Sequence, residues 1–249
     1  MNNSDTVAIG FCHSHNSVTG EWRNSYTQLL QRDAYTHRRI VAEHYNVTGG
    51  TGIPRSRCTV VKEFLEAEHK ADWLFFMDTD ASFDSDILDV LLQDANPETM
   101  PILGGLAFKI TYDKPNAVGA SMFHLEPTMY RYQNGNYYTV LKYPMNAVIQ
   151  VTATGCHCLL IHRSVLENPL WHEDGYHQPW FRMWTKDGQE LSEDLYFCDR
   201  AIELGYPIHV STKAKTGHVK QLVIDEDLYV AMNPEYLNVM QSPNWPNPI

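Results

Sequence analysis

The segment DWLFFMD, residues 72–78, limits the fold of this chain more than any other stretch. Its five consecutive apolar residues, Trp73–Met77, leave no polar side chain for a solvent-exposed face. A short run of this kind is typical of a central strand in a parallel sheet that is covered on both sides. Because parallel strands need crossover connections, which are usually helices, we predict an α/β fold.

The first 110 residues alternate between strand and helix patterns. Apolar runs typical of strands lie at 6–12, 40–47, 73–77 and 102–109, and segments with apolar residues at helical spacing separate them. This β-α-β-α-β-α-β order predicts a Rossmann-type, mostly parallel central sheet that binds ligands at the carboxyl ends of its strands.

The second half of the chain has a different character. Residues 129–141, MYRYQNGNYYTVL, predict a hairpin around an Asn-Gly-Asn turn, so we expect a second, smaller antiparallel β element. The 249 residues suffice for one large domain and contain no internal repeat. We therefore predict a single domain over 1–249, with a nucleotide-type half at 1–110, a more variable half at 111–220 and a tail at 221–249.

Charge and cysteine content restrict the class of protein. The formal net charge of −11 argues against a protein that grips nucleic acid through clustered basic residues, although one local basic pocket would still accept a small phosphorylated ligand. The five cysteines have no zinc-binding spacing, which favours reduced thiols. We see neither a signal peptide nor a membrane segment, so we expect a soluble cytoplasmic protein that does not bind membranes.

Two carboxylates follow the central strand directly. Asp78 and Asp80 lie where the strand becomes a loop, so both side chains can converge at the carboxyl edge of the sheet. Oxygen ligands of this kind suit Mg²⁺ or Mn²⁺ with substrate phosphates completing the coordination. Helix capping explains Asp84 and Asp86 equally well, but not an ionised Asp78 directly after a buried strand.

Basic residues lie near a glycine-rich loop and near the last predicted strand. Arg55 and Arg57 start a helix after GGTG, where guanidinium groups can pair with phosphate or with carboxylates. The loop sequence matches neither the P-loop motif nor the dinucleotide-binding fingerprint. Arg55 and Arg57 could equally be ordinary surface arginines at a solvated helix start. Lys215 and Lys220 flank His218 in KAKTGHVK, which suits a diphosphate and a metal ion.

Two further groups of residues complete the candidate site. Glu193 and Asp194 lie in the first turn of a predicted helix, where a carboxylate could accept a proton from an attacking hydroxyl, although the helix dipole alone also favours acids there. His13, His15 and His157 are candidates to line the pocket.

In this order, the motifs resemble glycosyltransferases of the GT-A fold, and in particular small enzymes of bacteria and phages. The matching pieces are VAIGFC, GIPRSRCTVVKEFL, LFFMDTD, TGCHCLLIHRSVL, SEDLYFCDRAIELGY and KTGH, which extend over roughly residues 6–218. The resemblance implies that residues 1–110 bind a nucleotide-sugar and that 111–220 bind the acceptor. If a phage encodes the protein, the host cytoplasm is its expected location.

The resemblance also implies a role for each candidate residue. Asp80 and His218 would bind Mn²⁺ or Mg²⁺, while Asp78 would contact the ribose or the metal through water. Arg57 would lie near the UDP or GDP of the donor. Asp194, with Glu193 beside it, would act as base in an inverting enzyme or hold the acceptor in a retaining one. The aromatic side chains of Trp180, Phe181 and Trp184 would form an acceptor wall, unless they belong to the core.

Several alternatives use the same residues. A haloacid dehalogenase-like phosphatase also has an apolar strand that ends in Asp-x-Asp, although there it is the first strand. A nucleotidyltransferase would need a more basic loop after its first strand than HSHNSVTGEW. A non-catalytic sugar- or nucleotide-binding module is the third alternative. The acceptor could be a glycan, a protein or DNA, and the acidic charge makes DNA the least favoured of the three.

Overall fold

The computed structural model of the chain describes residues 5–14, 18–48, 52–112, 123–220 and 228. His15, the two glycines at 49–50 and nearly all of the predicted tail lie outside these residues. In chain order the first elements are β1 Val7–Ser14, α1 Gly20–Thr36, β2 Ile40–Thr48, α2 Gly52–Glu66, β3 Trp73–Met77, β4 Ala81–Phe83, α3 Ile87–Asp94, β5 Ile102–Leu106 and β6 Phe108–Tyr112.

The remaining elements begin after residue 122. They are β7 Phe123–Pro127, β8 Met129–Gln133, β9 Asn136–Thr139, β10 Val148–Val151, β11 Ala153–Thr154, β12 Cys158–His162, α4 Arg163–Leu166, a 3₁₀ helix Pro169–His172, β13 Trp184–Lys186, β14 Gln189–Leu191, α5 Glu193–Glu203 and β15 Ile208–His218. Among the described residues, no helix combines the length and the hydrophobicity needed to cross a membrane.

A mixed central sheet carries the fold. Its strand order is β10-β15-β5-β12-β3-β1-β2, and β4 pairs with the far end of β15. Within the described part of the chain, β1, β2, β3, β5 and β15 run in one direction, while β4, β10 and β12 run against them. The predicted α/β class and the mostly parallel sheet are therefore confirmed. The position of β12 was not predicted: it comes from the second half of the chain and lies antiparallel between β3 and β5.

The double-sided burial predicted for β3 is present. All five of its residues are buried. Leu74 and Phe76 belong to the core cluster that includes residues of α2 and α5, whereas Trp73, Phe75 and Met77 belong to the cluster that includes residues of α1 and α3. Because successive side chains of a strand point to opposite faces, β3 contributes to both layers of the core.

Two of the predicted β segments have different outcomes. The hairpin is confirmed: β8 and β9 pair antiparallel, and Asn134 and Gly135 have the positive φ angles, 50° and 80°, that a tight hairpin turn requires. The single strand expected at 102–109 is wrong, because it is divided at Ala107. The carbonyl oxygen of Ala107 accepts a hydrogen bond from Thr128 N, and β6 pairs with β7 outside the central sheet.

The chain divides into two compact units, residues 1–108 with 127–219 and residues 109–126 with 220–249. The first unit contains the central sheet and the β8-β9-β11 sheet. The second contains residues 109–112 of β6 and residues 123–126 of β7. The single domain expected for 1–249 stays a prediction.

Gly105→Ala is expected to lower the free energy of unfolding by about 1–3 kcal/mol. A Cβ atom on Gly105 would lie 2.8 Å from Cys158 Sγ and 3.1 Å from the carbonyl oxygen of Ala214, so β12 or β15 would have to shift. Chemical denaturation of both proteins measures the change. Gly20→Ala is the control because its Cβ would meet no atom within 4 Å. Equal stability of the two variants would show that the sheet is not packed this closely.

Candidate active site

Strand register brings His157 to the carboxyl end of β3. In the antiparallel pair of β12 and β3, Cys158 lies opposite Met77. His157, which precedes β12, therefore lies beside Asp78, and its carbonyl oxygen accepts a hydrogen bond of 3.0 Å from Asp78 N. A strand that enters the sheet antiparallel thus places its first residues at the edge where β3 ends.

The last strand brings His218 to the same edge. Its partner in the β4–β15 pair is Ala81, and Val219 N donates to the carbonyl oxygen of Asp80 at 2.8 Å. Three side chains consequently converge, those of Asp80, His157 and His218. Each offers one ligand atom, and these atoms lie within 4.8 Å of one another.

One ring nitrogen of His218 forms a hydrogen bond with the backbone. Its Nδ1 lies 2.8 Å from the carbonyl oxygen of Phe108, which can only accept, so Nδ1 carries a proton and donates it. In the neutral ring Nε2 then presents a lone pair, and this nitrogen lies 3.0 Å from Asp80 Oδ2. A lone pair that faces a carboxylate is repelled unless a second proton or a metal ion lies between them.

His157 repeats this arrangement. Its Nε2 lies 3.2 Å from the carbonyl oxygen of Gly217 and donates to it, which leaves Nδ1 as the nitrogen that faces the acids of the site. Nδ1 is buried and has no hydrogen-bond partner among the described residues. The carboxylate oxygens of Asp78 and Asp80 lie 3.6 and 3.9 Å away, beyond hydrogen-bonding distance. Each imidazole thus donates one ring proton to a backbone carbonyl and directs its other nitrogen toward the carboxylates, and two imidazole nitrogens with a carboxylate oxygen form a donor set that suits a divalent metal ion.

Arg57 joins the end of β3 to the start of α5. Its side chain is 5% exposed, and its Nη2 donates to Asp78 Oδ1 at 3.0 Å. Its Nη1 donates to Glu193 Oε1 at 2.9 Å and also to Asp194 Oδ1. Ser192 caps α5 by accepting a hydrogen bond from Leu195 N, so the two acids lie in the first helical turn. One guanidinium group thus contacts three carboxylates.

Burial and neighbouring charges shift the pKa values of Arg57 and Asp78 in opposite directions. Burial alone would lower the pKa of Arg57, but Asp194 and the other nearby acids raise it well above its usual value, so the guanidinium remains charged. Burial alone would raise the pKa of Asp78, but Arg57 and His157 lower it below its usual range. Burial, with repulsion from Asp194, raises the pKa of Glu193.

The three side chains that converge are not the three predicted metal ligands. Asp80 and His218 belong to the converging group, and their role as metal ligands stays a prediction. Asp78 is not a member, and its carboxylate is paired with Arg57. His157 takes that place; the sequence analysis had considered it only as a pocket-lining residue.

The predicted donor-binding cations are dispersed. Arg57 contacts carboxylates of the site, whereas Arg55 is exposed and has no ion pair among the described residues. Lys215 is exposed on β15, and its odd spacing from His218 places the two side chains on opposite faces of the strand. Lys220 belongs to the second compact unit. Their roles as ligands of a diphosphate stay predictions.

Two of the three residues of the predicted aromatic wall are buried. Trp180 is 5% exposed and Phe181 is fully buried. Trp180 Nε1 donates to the carbonyl oxygen of Leu166, and the ring of Phe181 stacks on Phe197 with a centroid separation of 4.8 Å. Both side chains therefore belong to the core and cannot contact an acceptor in this packing. Trp184 is 44% exposed and remains accessible.

Arg57→Gln is expected to lower the free energy of unfolding by about 2 kcal/mol at neutral pH, because three partly buried carboxylates lose their common cation. We expect the matched variant Arg55→Gln to change it by less than about 0.5 kcal/mol, since Arg55 is exposed. Urea denaturation in a metal-free buffer makes the comparison. Similar losses in the two variants would contradict the contacts assigned to Arg57.

His157→Ala is expected to weaken Mn²⁺ binding by about tenfold or more, because it removes one nitrogen of the cluster. Isothermal titration with Mn²⁺ alone measures the affinity. The control is His69→Ala, an exposed histidine between α2 and β3. Unchanged affinity in His157→Ala would exclude this residue as a ligand.

No protein-family model and no curated protein match this sequence. Solved structures resemble its fold at low identity. A197 from STIV aligns over 88% of this chain and 97% of its own, with a TM-score of 0.50 and 16% identity. GalNAc-T7, solved with UDP, GalNAc and Mn²⁺, aligns over 89% of this chain and 45% of its own, with a TM-score of 0.55 and 12% identity.

A further structure, the inositol-1-phosphate CTP transferase from T. maritima, aligns over 94% of this chain and 97% of its own at a TM-score of 0.45 and 12% identity. This score is too low to support the nucleotidyltransferase alternative. The chain spans less than half of the GalNAc-T7 chain. At these identities the likeness establishes the fold alone, and the fold of this chain is GT-A-like.

Proposed function

We propose that this chain is a metal-dependent glycosyltransferase that moves a sugar from a nucleoside diphosphate to an acceptor hydroxyl. The observation that carries the proposal is the convergence of Asp80, His157 and His218 at the carboxyl edge of the sheet, where one potential ligand atom of each lies within 4.8 Å of the others. In open α/β sheets, ligands bind at the carboxyl ends of the strands, so this cluster lies where a nucleotide is expected.

Asp80, His157 and His218 would hold the metal ion. Two nitrogens and one carboxylate favour Mn²⁺ over Mg²⁺, which prefers an all-oxygen environment. When bound, the ion would neutralise the negative charge that develops on the departing nucleoside diphosphate. Asp78, which Arg57 holds in its ionised form, would accept a hydrogen bond from the ribose of the donor.

Asp194 and Glu193 would serve the acceptor. Arg57 orients both carboxylates from one side. An inverting enzyme would use Asp194 as the base that takes the proton of the acceptor hydroxyl, whereas a retaining enzyme would use it to position that hydroxyl. The anomeric configuration of the product distinguishes these two roles.

The fold likeness to GalNAc-T7, whose structure contains UDP and GalNAc, supports a UDP-sugar as the first donor to examine. A GDP-sugar is the second, because none of the described contacts selects between the two bases.

In the presence of Mn²⁺, we expect the protein to release UDP or GDP slowly from one member of a panel of UDP- and GDP-sugars. Asp80→Asn and His218→Ala are expected to lower this rate about a hundredfold, because each removes a metal ligand. EDTA should have the same effect. Asp84→Asn, an exposed acid four residues after Asp80, serves as the control with an unchanged rate.

Other products would identify the alternatives. Inorganic phosphate from phosphomonoesters would favour the phosphatase, and pyrophosphate from a nucleoside triphosphate would favour the nucleotidyltransferase. Binding of a nucleotide-sugar without turnover, in the presence of acceptors, would favour the non-catalytic module.

A further inference from the structure

A second concave surface lies outside the metal cluster. This aromatic cavity has a volume of about 580 Å³ and is lined by Tyr176, Arg182, Met183, Trp184, Thr185 and Glu190. Apart from Arg182, these residues are exposed. A concave surface that combines apolar walls with a few polar groups is typical of a small-ligand site.

Arg182 holds the aromatic rings in place. Its guanidinium carbon lies 4.5–4.6 Å from the ring centroids of Tyr176, Trp184 and Tyr196. The residue is 6% exposed, and its Nη2 lies 2.6 Å from Asp174 Oδ2. Because its charge is paired and covered by rings, Arg182 acts as a rigid support for the aromatic wall and not as a site for an anionic ligand.

The open faces of the cavity are apolar. Trp184 is 44% exposed, Tyr176 is 46% exposed and Met183 is 61% exposed. An indole ring supported from behind by Arg182 can stack on the C–H face of a pyranose ring. Thr185 and Glu190, which are partners in the β13–β14 pair, also line the cavity and add polar atoms to its rim.

The cavity lies near the acidic end of α5. Trp184 lies opposite Leu191 in the β13–β14 register, and Ser192, Glu193 and Asp194 follow Leu191 directly. Three residues extend at most about 10 Å, and paired strands lie about 5 Å apart. A short oligosaccharide on Trp184 could therefore extend its terminal hydroxyl to Asp194.

The charge around the cavity disfavours a polyanion. Glu190 belongs to its lining, and the adjoining cleft contains Glu173 and Glu203, both paired with Arg200. The cationic groups are thus already paired, while Glu190 adds a negative charge to the lining of the cavity. A phosphate backbone would be repelled, whereas uncharged hydroxyls would be bound.

We infer that the aromatic cavity binds the acceptor and that this acceptor is an uncharged glycan. The assignment of the cavity to an acceptor rests on the proposed glycosyltransferase function. The chemistry of the ligand rests on the exposed rings, the paired arginines and Glu190.

The test is binding of the full-length protein to an array of immobilised neutral, sialylated and sulfated oligosaccharides, with single-stranded DNA and unglycosylated peptides as competitors. We expect retention on neutral oligosaccharides. Titration of the best-retained one should show affinity about tenfold weaker in Trp184→Ala. Glu190→Ala, at an exposed residue that does not pack in the core, should also weaken binding. Tyr35→Ala, an 89% exposed aromatic residue on α1, should leave it unchanged.

Retention on acidic oligosaccharides alone, or loss of retention in the presence of the DNA or peptide competitors, would overturn the inference. Neutral-glycan binding that both Trp184→Ala and Glu190→Ala leave intact would also overturn it. Donor hydrolysis with Mn²⁺, measured on the same preparations, separates this inference from the proposed function. Hydrolysis without neutral-glycan binding overturns the inference alone. Glycan binding that depends on Trp184, without hydrolysis of any donor, supports the ligand class and contradicts the transferase.

Discussion

The burial of β3 on both faces is the constraint on which the rest of the site depends. Helices must cover each face of the strand, and neighbouring strands must pair along both of its edges. Its polar residues can then lie only at its ends. Asp78 and Asp80 are fixed at the carboxyl end, where β12 begins and where β4 and the end of β15 approach. The site is therefore a consequence of how the core is packed.

Negative charge is concentrated at this edge of the sheet. Asp78, Asp80, Glu193 and Asp194 bring four carboxylates to the region, and Arg57 contacts three of them. Asp80 faces Nδ1 of His157 at 3.9 Å and Nε2 of His218 at 3.0 Å. A divalent ion at this point would satisfy both imidazoles and the carboxylate at once, which one additional proton could not do.

Much of the fold could be predicted from the sequence, because local patterns determine it. The apolar run of β3, the helical spacing of α2 and the Asn-Gly turn after β8 each carry their own signal. The insertion of β12 could not be predicted, because a short apolar run such as CLLI does not reveal its direction or its neighbours. The division of the strand at Ala107 depends on a hydrogen bond from Thr128, which is distant in sequence.

The site also combines features that local sequence reveals with features that depend on distant contacts. Asp80 and His218 could be predicted from the order of the motifs, whereas the place of His157 follows from the antiparallel register of β12. The contacts of Arg57 with Glu193 and Asp194 join residues 136 and 137 positions apart. The sequence pattern around Trp180, Phe181 and Trp184 does not show which of these aromatic residues are buried. Only the packing reveals that Trp180 and Phe181 are buried and that Trp184 is exposed.

The most direct test of this account is the anomalous diffraction of crystals grown with Mn²⁺ and UDP. The account predicts one manganese peak coordinated by Asp80, His157 Nδ1 and His218 Nε2, with the diphosphate of UDP completing the coordination. A fully occupied UDP site without manganese at these three atoms, or with the metal held by other residues, would contradict it.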